Sequence, residues 1–526
     1  MLSQLPSIFF STQYCVILGA FYLIVSVNIV FAKQHETQKL VTFDINLVSE
    51  STLDTQLVEL VDELELHNTL TKLNQANETG GELWELGKQL FFSQSLSMNS
   101  DVACVSCHHP MLGGGDGLSL SVGVNALEPT ILGPGRVHDG NRLLDPRADG
   151  GPNIPRNASS IFNLHLLKRA AFWDGRVEVI VEKLNTENTA IRLRTPDSVK
   201  SLPDINAGTD FIQAQARFPI VALHEMFGLG EHKLDSNAQK RQLVLNNLQK
   251  KTESNQDSAW LPLFQRAYSD YRADSKTVIT IDRITQSLAR YQKSLVLTDN
   301  PWFKYLRGDK NAISSQAKRG ALLFFNNAEQ GGLACYACHS GSGFSDEKFY
   351  NIATPQIGRG KDVDGNDHGR LLHSSIITDK YKFRTPMLLN VQVTGPWGHA
   401  GAFDNLKHII QHHFDPKNSI RKYDFSLGQL SQFNKIAAQT ERAKGISNEV
   451  LSAYLQSPEA NVLVNSSDSE QHAALLEAFL FSLTDPCIQT PECIRKWLPD
   501  SDDKGPDGKL LQGKFSSFSE QADTYQ

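Results

Sequence analysis

The chain has no excess of basic residues: Lys and Arg total 51 against 58 Asp and Glu in 526 residues, a formal net charge of −7 at pH 7. Without clustered Lys and Arg it lacks the electrostatic footprint of a nucleic-acid binder, so no nucleic-acid partner is expected. It has no charged residue of either sign before Lys33. Within that stretch Tyr14 to Ala32 is an apolar run ending in Val30-Phe31-Ala32, which resembles the small-residue site of signal peptidases. The missing Lys or Arg in residues 1–32 is unlike an ordinary leader, and the run approaches the roughly 20 residues that span a bilayer. A cleaved signal peptide and a retained membrane anchor both stay open, and both place the bulk of the chain in the periplasm. The hydrophobic share of 40% over this length leaves core size unrestricted.

Cysteine is also sparse, seven in all, and the seven sort themselves. Cys15 lies in the apolar run. Cys487 and Cys493 form "CIQTPEC", most simply a structural disulfide in an exported protein. The remaining four belong to "ACVSCHH" and "ACYACHS", two copies of Cys-x-x-Cys-His separated by 231 positions. A c-type haem has two vinyl groups, so two cysteines three apart can form a thioether to each while the adjacent His reaches the iron. A thioredoxin-like pair needs no following His, and a zinc site needs further ligands at suitable spacing. Two copies in one exported chain therefore read as two covalently bound haem c groups, one on Cys104, Cys107 and His108, the other on Cys335, Cys338 and His339.

The surroundings repeat with the motifs. "ELGKQLFF" (Glu85 to Phe92) precedes the first and "KRGALLFF" (Lys318 to Phe325) the second, both at amphipathic helical spacing. "RNASSIFN" (Arg156 to Asn163) is echoed by "FRTPMLLN" (Phe383 to Asn390). Helices are expected over Leu83–Phe92, Ser315–Phe325, Asn405–His413 and Gln471–Leu483, with long Gly- and Pro-rich connections. The expected fold is mainly α: two tandem cytochrome c-like haem domains with long irregular loops. The divisions are a leader or anchor at 1–32, a polar linker at 33–80, haem domains at 81–300 and 301–485, and a tail at 486–526. Within the linker, Leu53, Leu57, Leu60, Val61 and Leu64 share one helical face, which reads as a helix docked on the main body or, less simply, as a partner-binding helix.

From Glu82 to Asp485 the order of both haem motifs, "RNASSIFN", "FWDGR", "FPIVALHEM", "FRTPMLLNVQVTGPWGHAG" and "LKHIIQHHFD" resembles the bacterial di-haem cytochrome c peroxidase family, which includes the MauG enzyme of methylamine utilisation. The resemblance implies an N-terminal haem that meets hydrogen peroxide and a C-terminal haem that takes electrons from a donor. It places Trp173 between the haems and makes Glu225 the distal acid/base, since cleaving peroxide needs a group to take and return a proton. It puts Gln215 and Pro219 in the same distal pocket, beyond a charge-rich insertion at about Glu178 to Asp210. Asn157, Thr394 and Pro396 match a calcium site, the last two through backbone carbonyls; hard oxygen ligands suit that ion. "DVDGNDHG" (Asp362 to Gly369) looks calcium-like, but Asp367 stands where an EF-hand loop needs Gly, and it reads as an acidic turn.

His413 falls at the sixth-ligand position of the second haem, where peroxidases of the family carry Met and the methylamine enzyme Tyr. His412 competes, because consecutive helical residues diverge by about 100° and only one can face the iron. His399 matches a family His near that haem and is expected to hydrogen-bond, not to ligate. Many family members close the first haem with a loop His; Val124 stands at that position here, with His138 in an inserted stretch as a rival. The expected enzyme is a cytochrome-c peroxidase-type oxidoreductase that reduces hydrogen peroxide with electrons from a small protein such as a mono-haem cytochrome c or a cupredoxin. A homodimer is implied by the resemblance. The alternative is a MauG-like enzyme that oxidises residues of a partner protein, and plain electron transfer is a third reading that Glu225 and Gln215 argue against.

If both motifs are haem clamps, acid–acetone extraction leaves the haem colour on the polypeptide, and Cys104→Ala with Cys107→Ala removes about half of it. Complete loss of colour on extraction of the unaltered protein overturns the assignment.

Overall fold

The computed structural model describes residues 49–73, 79–140, 151–183, 189–199, 202–228, 236–254, 258–362, 364–428, 430, 432, 442–461 and 469–512. Cys15 and the apolar run of residues 14–32 lie outside them. Among the described residues no helix is long and apolar enough to cross a membrane. Among the described residues the fold is mainly α, with 46% helix and 6% strand.

Six helices frame the site: α1 (Glu50–Glu63), α2 (Glu82–Phe92), α3 (Ile281–Gln292), α4 (Ser315–Phe325), α5 (Leu406–Phe414) and α6 (Ser469–Phe481). Four of these match the expected helices to within two residues at either end. Helix α3 was not expected, although Thr280 caps it by accepting from the Arg283 N–H and its buried Ile284, Leu288 and Tyr291 recur at helical spacing. The charge-rich insertion holds most of the strand. Its β2 (Val177–Lys183) and β3 (Thr189–Arg194) join the preceding β1 (Ala170–Ala171) in an antiparallel sheet in which Val181 opposes Ile191 and Glu178 opposes Arg194. A two-residue pair, β4 (Phe349–Tyr350) with β5 (Phe383–Arg384), is the other sheet.

The internal repeat has a physical counterpart. Helix α2 packs on α3, and α4 packs on α6. In each pair a glycine is the point of closest approach. A Cβ on Gly87 would lie 2.0 Å from the Ser287 carbonyl oxygen and 2.9 Å from Tyr291 Cβ; one on Gly320 would lie 2.0 Å from the Leu475 carbonyl oxygen and 2.9 Å from Phe479 Cβ. Both contacts join a residue and its neighbour four positions on, so the two helix pairs cross in the same way.

Buried apolar side chains fall into two main clusters. One runs from Trp84 to Leu297 and includes Ile488, Ile494, Trp497 and Leu511. The other runs from Trp302 to Leu483 and includes Leu53, Leu57, Leu60, Val61, Leu66 and Leu73. Residues expected as a polar linker and a tail thus carry core: α1 covers α4, with Tyr305 donating to Asp54 at 2.8 Å and Lys318 pairing with the same carboxylate. The Cys487–Cys493 disulfide is formed. It closes the turn that carries Ile488 and Ile494 into the first cluster.

Gly320→Ala should overpack the α4–α6 contact and lower unfolding free energy by about 1–3 kcal/mol in denaturant titration. The exposed Gly445→Ala, which meets nothing within 4 Å, is the control, and equal effects from both would contradict the close-approach argument.

Candidate functional site

Each Cys-x-x-Cys-His segment forms a single 3-10 turn, Cys104–Ser106 and Cys335–Ala337, followed by its second Cys and then its His. The His108 N–H donates to the Cys104 carbonyl at 3.0 Å and the His339 N–H to the Cys335 carbonyl at 2.9 Å. The two imidazoles are oriented alike. His108 Nδ1 donates to the Gly114 carbonyl at 3.3 Å and His339 Nδ1 to the Phe344 carbonyl at 3.0 Å. A metal-ligating His is commonly fixed in this way, with Nδ1–H on a carbonyl and Nε2 left for the metal. Burial holds both imidazoles below their ordinary pKa, His339 at about 4, so they stay neutral as iron ligands must.

All six motif residues line one cavity of about 630 Å³. Burial pushes the thiols of Cys104, Cys107 and Cys335 up to about 12, so they remain neutral in an apolar wall. Zinc would need converging thiolates. Among the described residues the group of three potential metal ligands that converges is Asp362, Asp364 and His368, and it contains none of these cysteines. Its carboxylates serve its own loop: His368 Nδ1 lies 2.5 Å from Asp362 Oδ2, and Asp364 accepts the Asn366 N–H at 3.0 Å. Four uncrosslinked thiols, two oriented imidazoles and a shared apolar cavity fit two covalent haems.

The same cavity wall carries Trp173, Gln215, Pro219 and Glu225. Gln215 sits on the short helix Phe211–Ala216, whose N-terminus is capped by Asp210 accepting from the Ile212 and Gln213 N–H groups. Glu225 is in a π-helical turn, Leu223–Phe227, where the Phe227 N–H reaches the Ala222 carbonyl at 3.0 Å and the Gly228 N–H the Leu223 carbonyl at 2.9 Å. Such widened turns are frequent at functional sites. This one buries Met226 and Phe227 while Glu225 stays on the wall.

Trp173 Nε1 donates to the Asn157 carbonyl at 3.0 Å. Beneath it lies a buried ion network. Arg156 bonds Asp174 at 2.5 Å and Asp367 at 2.5 and 2.7 Å, while Lys361 and His373 reach Asp174 at 2.7 and 2.9 Å. Burial would raise the Asp174 carboxyl, but Arg156, Lys361 and Arg176 together hold it well below the usual carboxylate range. Asp367, the residue that spoils the EF-hand pattern, thus anchors the arginine of "RNASSIFN". No signal in the sequence pairs those distant positions.

At the second haem position the two candidate histidines separate. His413 lines the cavity, and its Nδ1 donates to the Ile409 carbonyl at 2.7 Å, leaving Nε2 free as in His108 and His339. His412 faces away from the cavity wall, buried, with Nδ1 on Ser419 Oγ at 2.9 Å and Nε2 on the Ile352 carbonyl at 2.8 Å. His399 lines the cavity too, bonded through Nδ1 to Thr354 Oγ1 at 2.9 Å and stacked on Phe383 at 3.7 Å. Asn157, Thr394 and Pro396 each line the cavity, and the Asn157 amide donates to the carbonyls of Leu118 and Ser119 at 3.0 and 3.3 Å. Val124 is a core residue, and His138 is 2% exposed, pinned in a bridge to Ala126; neither lines the cavity.

Residues 81–311 match the family model described as di-haem cytochrome c peroxidase. The chain is similar to the methylamine utilization protein MauG of Methylophilus methylotrophus, 29% identical over 360 residues, covering 67% of this chain and 79% of that protein. Its likeness to MauG of Methylorubrum extorquens is 28% over 341 residues, covering 64% and 70%. Its likeness to the cytochrome c551 peroxidase of Pseudomonas aeruginosa is 24% over 329 residues, covering 62% and 70%.

His413→Gly should convert one haem from low-spin to high-spin or water-ligated in optical and EPR spectra, whereas His412→Ala should leave the spin state unchanged. The reverse pattern would place the ligand on the other face of α5.

Proposed function

We propose that this chain, which belongs to the di-haem cytochrome c peroxidase family, reduces hydrogen peroxide to water in the pocket formed by His108, Gln215, Pro219 and Glu225. The observation that carries the reading is one cavity whose wall holds both Cys-x-x-Cys-His sets, Trp173 and an acid/base carboxylate. Bound there, the haems would supply redox-active iron for peroxide and for the incoming electrons. Cys104, Cys107 and His108 would hold the first; Cys335, Cys338, His339 and His413 the second. Glu225 takes a proton from the near oxygen of peroxide and returns it to the departing oxygen, which leaves as water. Gln215 offers an amide to the same ligand, and Pro219 closes the wall without adding a donor. Trp173 lines the cavity that both motifs share, on the route electrons take between them. Asn157 and the carbonyls of Thr394 and Pro396 would hold a calcium ion beside that route.

Export to the periplasm, a soluble cytochrome c or cupredoxin as donor, and a homodimer complete the proposal. Similarity to MauG supports a second reading, in which the same pocket drives oxidation of a partner protein. A reduced cytochrome consumed in proportion to peroxide supports the first reading, and a covalently altered partner the second.

Val124 lies in the core and His138 is buried outside the cavity wall, so neither reaches the first pocket. Oxidised protein should therefore react with stoichiometric peroxide without prior reduction, seen as a rapid Soret change. Glu225→Gln should retain both haems and slow that reaction by roughly 10²-fold. A reaction that requires reduction first, or one indifferent to Glu225→Gln, would count against the pocket as described.

A further inference from the structure

Arg176 closes the "FWDGR" segment and has no part in the reading above, which this inference deepens and on which it rests. Its side chain is 16% exposed and lines the cavity beside Glu225, with Nη2 3.4 Å from Glu225 Oε1. Three features hold it there. The Arg176 N–H donates to Asp174 Oδ1 at 3.2 Å, a tight turn that fixes the backbone. The guanidinium lies over the Phe172 ring at 3.8 Å. Strand β2 begins at the next residue.

It stands at the edge of the ion network, adding to the positive charge around Asp174 while its guanidinium makes no hydrogen bond to that carboxylate. Asp174 Oδ2 has Arg156, Lys361 and His373 within 2.9 Å, whereas Arg176 stands 4.0 Å away. Arg176 Nε is buried without a hydrogen-bond partner. A guanidinium with spare donors, paired with a carboxylate in the wall of an apolar cavity, orients that carboxylate and favours a second anion in the same space.

We propose that Arg176 is a positioning residue of the peroxide pocket: it holds the Glu225 carboxylate toward the cavity and supplies the positive charge that favours an anionic ligand at the first haem. In the reaction, peroxide gives one proton to Glu225 and becomes hydroperoxide anion; the proton and the charge balance, and Arg176 faces the anion so formed. The other ionisable groups about Glu225 among the described residues include His224 beside it, and Cys107 and His108 of the first motif, with burial holding the His108 imidazole below its usual pKa.

The test is an equilibrium titration of the oxidised holoprotein with fluoride and, separately, with neutral imidazole, followed in the Soret and charge-transfer bands at constant pH. Arg176→Gln should weaken fluoride binding by about tenfold or more while leaving imidazole within about twofold, and Arg176→Lys should recover most of the fluoride affinity. A general disturbance of the pocket would change both ligands alike, and pairing of Arg176 with a haem propionate would shift the midpoint potential with the fluoride-to-imidazole ratio unchanged; either result overturns the proposal. If wild type binds fluoride and Arg176→Gln binds it equally well, the Arg176 assignment alone falls. If wild type binds neither ligand, the open peroxide pocket falls and takes this inference with it.

Discussion

Two helix backbones meeting at a glycine is the contact from which the rest is built. Where α2 crosses α3 at Gly87, and α4 crosses α6 at Gly320, the partner carbonyl stands where any side chain would begin. The crossing leaves no room for repositioning, because packed interiors do not absorb an extra methyl without displacement. Each pair then delivers its Cys-x-x-Cys-His turn to the cavity at a set height. The same frame repeats one layer out. Asn163 and Asn390 both adopt a left-handed backbone, at φ 62° and 63°, and each accepts a backbone N–H through its side chain, from Leu297 and Asp485 respectively.

On that shared frame the two halves differ where chemistry is required. The first half ends its distal wall in a π-helical turn carrying a carboxylate; the second ends it in a regular helix carrying His413. An acid/base side chain leaves a site open to an exogenous ligand, whereas an imidazole with a free Nε2 closes it. In the proposed function, this asymmetry assigns peroxide chemistry to the first half and electron entry to the second.

The halves are tied by exchanged termini and buried charge. Helix α1, at the start of the described chain, completes the second core, and the segment of Ile488 to Leu511 completes the first. Between them, Arg156 and Asp174 from one half meet Lys361, Asp367 and His373 from the other. Desolvating so many ions is costly, and loss of any one partner would strand a charge in a dry site, so the network constrains how the halves meet more than it adds net stability.

The two haem motifs were legible in the sequence because such a clamp is local: five residues suffice for both thioethers and the proximal ligand. The helices α2, α4, α5 and α6 were legible through apolar spacing, and the mainly α class with them. Glu225, Gln215, Pro219 and Trp173 came from resemblance, since a lone Glu beside a Met carries no local mark of its role. Tertiary structure decided the rest, for reasons of distance. It separated His412 from His413, giving His412 partners for both ring nitrogens and placing His413 in the cavity wall. It turned Asp367 from a failed calcium ligand into the anchor of Arg156, 211 positions away. It set Arg176 against Glu225, 49 positions away beyond the hairpin and a helix. Sequence records what a residue can do with its near neighbours; which distant charge or cavity it faces is determined only when the helices have crossed.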